Sequence, residues 1–342
     1  MEQMSQEQTY RDGFVPRYNI RTDLALEAHE FIKSKTAAEI PGVASETVQE
    51  DGIAISRITV QNEAAAQQLG KKPGNYITLE APKMRTRDTE LHDRLSEVLA
   101  RELLNLAPLP QNLEETVLVV GLGNWNVTPD ALGPQVIKEL LVTRHMFQMR
   151  NRALGEGYRS VCAISPGVLG LTGIETSEII QSLVDRVKPS LVIVIDALAA
   201  HRLARLHTTI QIADSGINPG SGVGNNRRGI SRETLGVPVI AIGVPTVVDA
   251  STIAGEAMEA MVESFKRGRG TVGLAISLEG QDWDQRQMLI REVLNPYTGG
   301  TLMVTPKEID TFIEDIALTI GTGLNAALHP KVMASDPSKY LH

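Results

Sequence analysis

Cysteine is almost absent from this chain: Cys162 stands alone among 342 residues. One thiol can make neither an intrachain disulfide nor a cysteine cage for zinc, and it points to a reducing compartment. Basic charge is in deficit as well, 33 Lys and Arg against 41 Asp and Glu, for a net charge of -8. Nonspecific nucleic-acid and anionic-membrane binding both need a basic face, so neither is expected. No apolar run approaches the roughly 20 residues that span a bilayer. The polar, acidic start Met1-Glu-Gln-Met-Ser-Gln-Glu-Gln is unlike a signal peptide. A cytoplasmic protein is the expectation.

Familiar catalytic signatures are missing too. The 7 histidines include no H-E-x-x-H pair, and Ser165 precedes Pro166-Gly167 instead of sitting in a G-x-S-x-G elbow. Gly121-Leu-Gly123 lacks the third glycine of the dinucleotide fingerprint, which would fall at Asn126. No cofactor is implied. Cys162 lies inside an apolar strand, where a small inert core residue is the simpler reading than a reactive thiol.

What is present is a core. With 42% apolar residues the chain can bury one large domain, or a main domain with a smaller attachment. Its organising stretch is 117–134: the apolar run Val117-Leu-Val-Val120, the glycines Gly121 and Gly123, then Thr128-Pro-Asp130 and Gly133-Pro134. This reads as a buried parallel strand, a tight turn and a helix over about 131–148. A second strand at 160–164, a helix at 178–187 stopped by Pro189, and a third strand at 191–195 repeat the pattern. The predicted fold is α/β, a doubly wound, mainly parallel sheet flanked by helices. Further strands are expected at 208–213 and 237–242. Upstream, alternation at 53–60 and 75–80, a short helix at 63–69 and a long one at 88–106 suggest a small N-terminal α+β layer, about 50–85, beside the main sheet. Thr305-Pro-Lys-Glu308 reads as a capping box opening a C-terminal helix.

Asp130 and Asp196 both follow predicted strands. In the common order 2-1-3 the first and third strands are neighbours across the switch point, so the two carboxylates can share a crevice. Such a pair does not ionise fully, and one shared proton lets it activate water and protonate a leaving group. Alternatively, each caps the next helix. Asp249 is open to the same two readings. Asn218-Pro-Gly-Ser-Gly222-Val-Gly224-Asn-Asn-Arg227-Arg228 is a second glycine-rich loop without the Lys of a P-loop, fit for a substrate rim or a plain loop. His201 is either close to the crevice or a core-edge residue. Residues 1 to about 22 have no hydrophobic period and read as an arm, and Thr22 or Asp23 could cap a helix that follows.

Several strings together resemble one family. They are Gly121-Leu-Gly-Asn124, Val127-Thr-Pro-Asp-Ala-Leu-Gly-Pro134, Pro166-Gly-Val-Leu-Gly-Leu-Thr-Gly-Ile-Glu-Thr176, Ile195-Asp-Ala-Leu-Ala-Ala200, Asp214 to Asn225, Val237 to Ala250 and Met303 to Glu308. They are similar to those of the germination protease of spore-forming bacteria, over about Arg21 to His329. The resemblance implies an atypical aspartic endopeptidase of the spore core that degrades small acid-soluble spore proteins, with Asp130 and Asp196 catalytic. It also implies a homotetramer, and a zymogen that cuts itself between an acidic and a hydrophobic residue. Thr22-Asp23-Leu24-Ala25 resembles that bond, giving an arm of 1–23 removed at Asp23-Leu24 and a single protease domain of 24–342. Asn124, Asp249, Gly222, Gly224, Arg227 and Arg228 are candidate substrate contacts, the arginines for an acidic side chain. The fold likeness to hydrogenase maturation endopeptidases supplies an alternative in which the same aspartates are metal ligands.

Overall fold

The structure is a computed structural model that describes residues 22–36, 40–149, 156–220, 228–267, 289–290, 292–296 and 301–332. Its strands in chain order are β1 (Val43–Glu50), β2 (Ile53–Val60), β3 (Gly74–Glu80), β4 (Val117–Gly121), β5 (Val161–Ile164), β6 (Leu191–Ala200), β7 (Thr209–Ala213), β8 (Val239–Asp249) and β9 (Met303–Val304). They form a nine-stranded sheet, in order β1-β2-β3-β7-β8-β6-β4-β5 with β9 added to β8. The runs Val117–Val120 and Leu191–Ile195 are buried on both faces, which is what puts β4 and β6 in the middle. β5, β4, β6 and β8 run parallel, in the expected 2-1-3 order for the three strands read from sequence. The N-terminal α+β unit does not stand apart. β3 pairs antiparallel with β7, so β1 to β3 extend the same sheet.

The helices are α1 (Ala25–Thr36), α2 (Glu63–Leu69), α3 (Thr89–Leu106), α4 (Leu132–Lys138), α5 (Arg144–Gln148), α6 (Leu169–Thr172), α7 (Thr176–Val187), α8 (Arg232–Leu235), α9 (Ala250–Arg267) and α10 (Ile309–Leu328). One sheet face packs Val119, Ile193 and Ile195 against Leu95, Leu99 and Leu103 of α3, Leu132 and Val136 of α4, and Ile313, Ile316 and Ile320 of α10. On the other, Val120, Val192 and Val194 meet Ile180 and Val184 of α7, with Ile230 and Leu235. Each buried aliphatic side chain contributes about 1.5–3 kcal/mol, so both layers are well anchored.

Three expectations change. The helix read over 131–148 is two helices, because Asn325 of α10 accepts from the Leu141 amide (2.9 Å) and donates to the Glu139 carbonyl (2.8 Å), ending α4. The capping box at 305–308 does not form: Thr305 donates to the Thr246 carbonyl (2.8 Å), and Glu308 is an N-cap without a side-chain bond. β6 also runs on to Ala200, because β8 stays beside it as far as Val248. Asp196 is therefore inside a strand, not just beyond one.

Candidate active site

β4 is short and its neighbours are long. Its last residue, Gly121, pairs with Ile195, and the next amide, Leu122 N–H, donates to the Ile195 carbonyl (2.8 Å). β6 and β8 continue, which leaves a notch at the carboxyl end of β4, where strand order reverses. Asp196 lies at that step. It is 6% exposed, its Oδ1 accepts from the Ala197 amide (2.9 Å), and Gly243 of β8 stands opposite. The bare Cα of Gly243 admits Leu198, whose Cδ1 would be 2.4 Å from any added Cβ.

Asp130 lies beyond the same end of β4, on a turn. It closes a short 3-10 turn, Thr128–Asp130, begun by Pro129, and that turn packs against β6, β8 and α10. Its amide donates to Val127 O (2.8 Å), and its carbonyl accepts from Asn124 N–H (3.0 Å). Gly123 is the floor beneath it, with φ at +115°, and a Cβ there would stand 1.8 Å from the Asp130 carbonyl oxygen and 3.4 Å from its carboxyl carbon. Gly121 and Gly133 let α4 approach β4 to backbone contact, since a Cβ on either would lie 2.3 Å from a carbonyl oxygen of the other segment. The glycines that fail the dinucleotide fingerprint thus serve to seat Asp130. Asn124 shapes the same loop, its Oδ1 accepting from Asn126 N–H (3.0 Å), and Lys138 lies over the Trp125 ring at 4.8 Å.

The remaining candidates fall elsewhere. Asp249 accepts from the amide (2.8 Å) and hydroxyl (2.7 Å) of Ser251 and caps α9. It ends β8, six residues past the Gly243 that faces Asp196, about 20 Å along an extended strand. Gly222, Gly224 and Arg227 lie outside the described residues. Arg228 is exposed, beside a loop base closed by the Ile217 and Ile230 bridge. His201 is buried and stacks edge-on with Phe31 of α1 (6.4 Å), away from the notch. Burial pushes the Cys162 thiol up, consistent with an inert core residue. Among the described residues, no group of three or more His, Cys, Asp and Glu could hold a metal ion, and no helix is long and apolar enough to cross a membrane.

The Asp23-Leu24 junction is docked on the far end of β6. A bulge between Leu198 and Ala199 interrupts pairing with β8, and the Asp23 carboxylate accepts the Ala199 amide (3.1 Å). Gln211 of β7 spans the junction, donating to the Asp23 carbonyl (3.1 Å) and accepting from Ala25 N–H (2.7 Å). Leu24 is fully buried. Neither Gln211 nor the bulge carried a sequence signal, because both depend on register between distant segments.

A buried aspartate inside a central strand, and a second on the turn after the adjacent strand, lie at the switch point of a doubly wound α/β sheet. Comparison with known proteins makes this specific. The germination protease family pattern matches residues 22–272 and 266–341. The chain is 52% identical over 324 residues to the germination protease of Caldanaerobacter subterraneus subsp. tengcongensis, covering 94% of this chain and 98% of that one. It is 46% identical to that of Clostridium tetani (95% and 100% covered) and 45% identical to that of Bacillus cereus (95% and 98%). The chain belongs to the germination protease family, and it is a peptidase of that family.

Proposed function

We propose that this chain is an endopeptidase that degrades small acid-soluble spore proteins during germination, with Asp130 and Asp196 as its catalytic pair. The observation that carries the reading is the notch: Asp196 is buried at the step where β4 stops, and the turn bearing Asp130 packs onto the same strand. The mechanism needs one carboxylate ionised and the other protonated. The ionised one takes a proton from water as its oxygen attacks the scissile carbonyl, and the protonated one gives its proton to the departing amine. The substrate bond lies between an acidic and a hydrophobic residue, with Arg227 or Arg228 receiving the acid. The chain is made in the spore-forming cell's cytoplasm as a zymogen that cuts itself between Asp23 and Leu24, and it assembles as a homotetramer. Asn124 supports substrate by ordering the Asp130 loop.

The test is digestion of a small acid-soluble spore protein by the matured chain, by Asp130→Asn and by Asp196→Asn, each with and without chelator. Loss of cleavage in both variants, with no effect of chelator, is expected. Chelator sensitivity restored by a divalent ion would instead make the two aspartates metal ligands. N-terminal sequencing of the matured chain should begin at Leu24, and sedimentation should report four copies.

A further inference from the structure

Around the Asp23-Leu24 junction, one buried carboxylate lies a single hydroxyl away from the nitrogen that cleavage would free. Leu24 N–H donates to Thr22 Oγ1 (3.1 Å), and the same hydroxyl donates to Glu27 Oε2. Glu27 is 3% exposed. Its carboxylate also accepts the amides of His201 (2.9 Å) and Arg202 (2.9 Å), the first residues beyond the end of β6. Burial raises its pKa, against the hydrogen bonds from Thr22, His201 and Arg202 and the charge of Arg205. The cations near it are shared with other groups. Arg205 bonds Glu30 and Glu80 (both 2.8 Å) and stands 4.0 Å from Glu27. Lys71 donates to the Thr22 carbonyl (2.7 Å), with Asp23 and Glu27 both acting on its charge.

Hydrolysis of this bond adds one water across the carbon–nitrogen bond. The Asp23 carbonyl becomes a C-terminal carboxylate, and the nitrogen of Leu24, a residue fully buried in the uncut chain, becomes an ammonium. Thr22, the hydroxyl between that nitrogen and Glu27, is on the segment that cleavage detaches. A buried ammonium is costly unless a carboxylate meets it, and Glu27 is three residues along, on the first turn of α1.

We propose that Glu27 receives the Leu24 α-ammonium made by processing, and that this ion pair fixes the end of β6, the strand carrying Asp196, in the matured enzyme. The inference rests on the processing reading above. Glu27 is then a positioning residue, acting through β6 from about 16 Å beyond Asp196. The device resembles a latch that only the cut chain can close.

The experiment starts from the full chain, which is left to process itself. The product is sequenced from its N-terminus and its amines are labelled by reductive methylation with 13C-formaldehyde, so that NMR follows the α-amine through pH. Expected is an α-amine pKa raised by at least about one unit above the ordinary 7.7–8.0. In Glu27→Gln the value returns to that range, and kcat falls about tenfold with KM unchanged. Thermal unfolding gives a second reading that does not need the variant. A raised ammonium pKa stabilises the processed chain below pH about 8, and this is lost as pH rises through the folded value. The unprocessed chain shows no such loss. A first residue other than Leu24 overturns the processing reading and the pocket's natural occupant with it. Leu24 at the terminus with an unshifted amine, or with no pH-dependent difference from the unprocessed chain, overturns the latch alone.

Discussion

Replacing Gly123 with alanine is the sharpest test of how Asp130 is placed. The new Cβ would lie 1.8 Å from the Asp130 carbonyl oxygen, where real Cβ contacts do not fall below 3.0 Å, so the Asp130 backbone must retreat by at least about 1.2 Å (3.0 minus 1.8). The φ of +115° adds strain of about 1–3 kcal/mol for a residue with a Cβ. A misplacement of about 1 Å costs on the order of 10²-fold in rate when the shifted group takes part in the chemistry. Gly123→Ala should therefore cut kcat on a small acid-soluble spore protein about 100-fold, while thermal unfolding reports a loss of about 1–3 kcal/mol. Gly170→Ala is the control, because a Cβ there meets nothing within 4 Å. A Gly123→Ala enzyme that stays folded and keeps kcat within about threefold, far short of that penalty, would refute the placement of Asp130 as a reacting group.

Three further outcomes follow from the same geometry. Burial pushes His329 and His207 down to about 4, and the first already uses both ring nitrogens, Nδ1 accepting from Arg159 N–H (3.1 Å) and Nε2 facing the Leu141 carbonyl (3.0 Å). A depressed folded pKa contributes stability that is present above the unfolded value near 6.5 and lost as pH falls toward 4. Each histidine should thus remove about 2 kcal/mol between pH 7.5 and pH 5, and urea titrations should show that drop smaller by the same amount in His329→Gln. Glu102, buried on α3, takes a bidentate bond from Arg57 (2.7 and 2.9 Å), whose side chain is 34% exposed. Glu102→Ala should cost about 2–3 kcal/mol by denaturant unfolding, less than a fully buried pair because Arg57 keeps water and Glu46. Asp249→Ala should lower stability by about 1 kcal/mol through loss of the α9 cap, with substrate digestion unchanged; a large kcat loss would return it to the site.

Much of this arrangement was legible because its causes are local. Branched apolar runs can only be central strands, so β4, β6 and their 2-1-3 order were readable, as was the turn that delivers Asp130. The glycine pattern was visible too, though its meaning was not: Gly121 and Gly123 are needed for backbone approach by Gly133 and Asp130, which belong to segments several residues later. Asp249 shows the converse. A carboxylate after a strand looks the same whether it caps a helix or faces a crevice, and only its distance from Gly243 along β8 separates the two.

The amino-acid order alone determined the parallel core, the turn that carries Asp130 past β4, and an acidic residue before a leucine near the N-terminus, since periodicity and turn chemistry act over a few residues. Only the tertiary structure decided how far β6 runs, where the helix after Asp130 breaks, and what binds the Asp23-Leu24 bond. Those outcomes rest on hydrogen bonds between distant partners, Asn325 with Leu141, Asp23 with Ala199 and Glu27 with His201. No local propensity encodes such pairs, because they exist only once the sheet has brought the segments together.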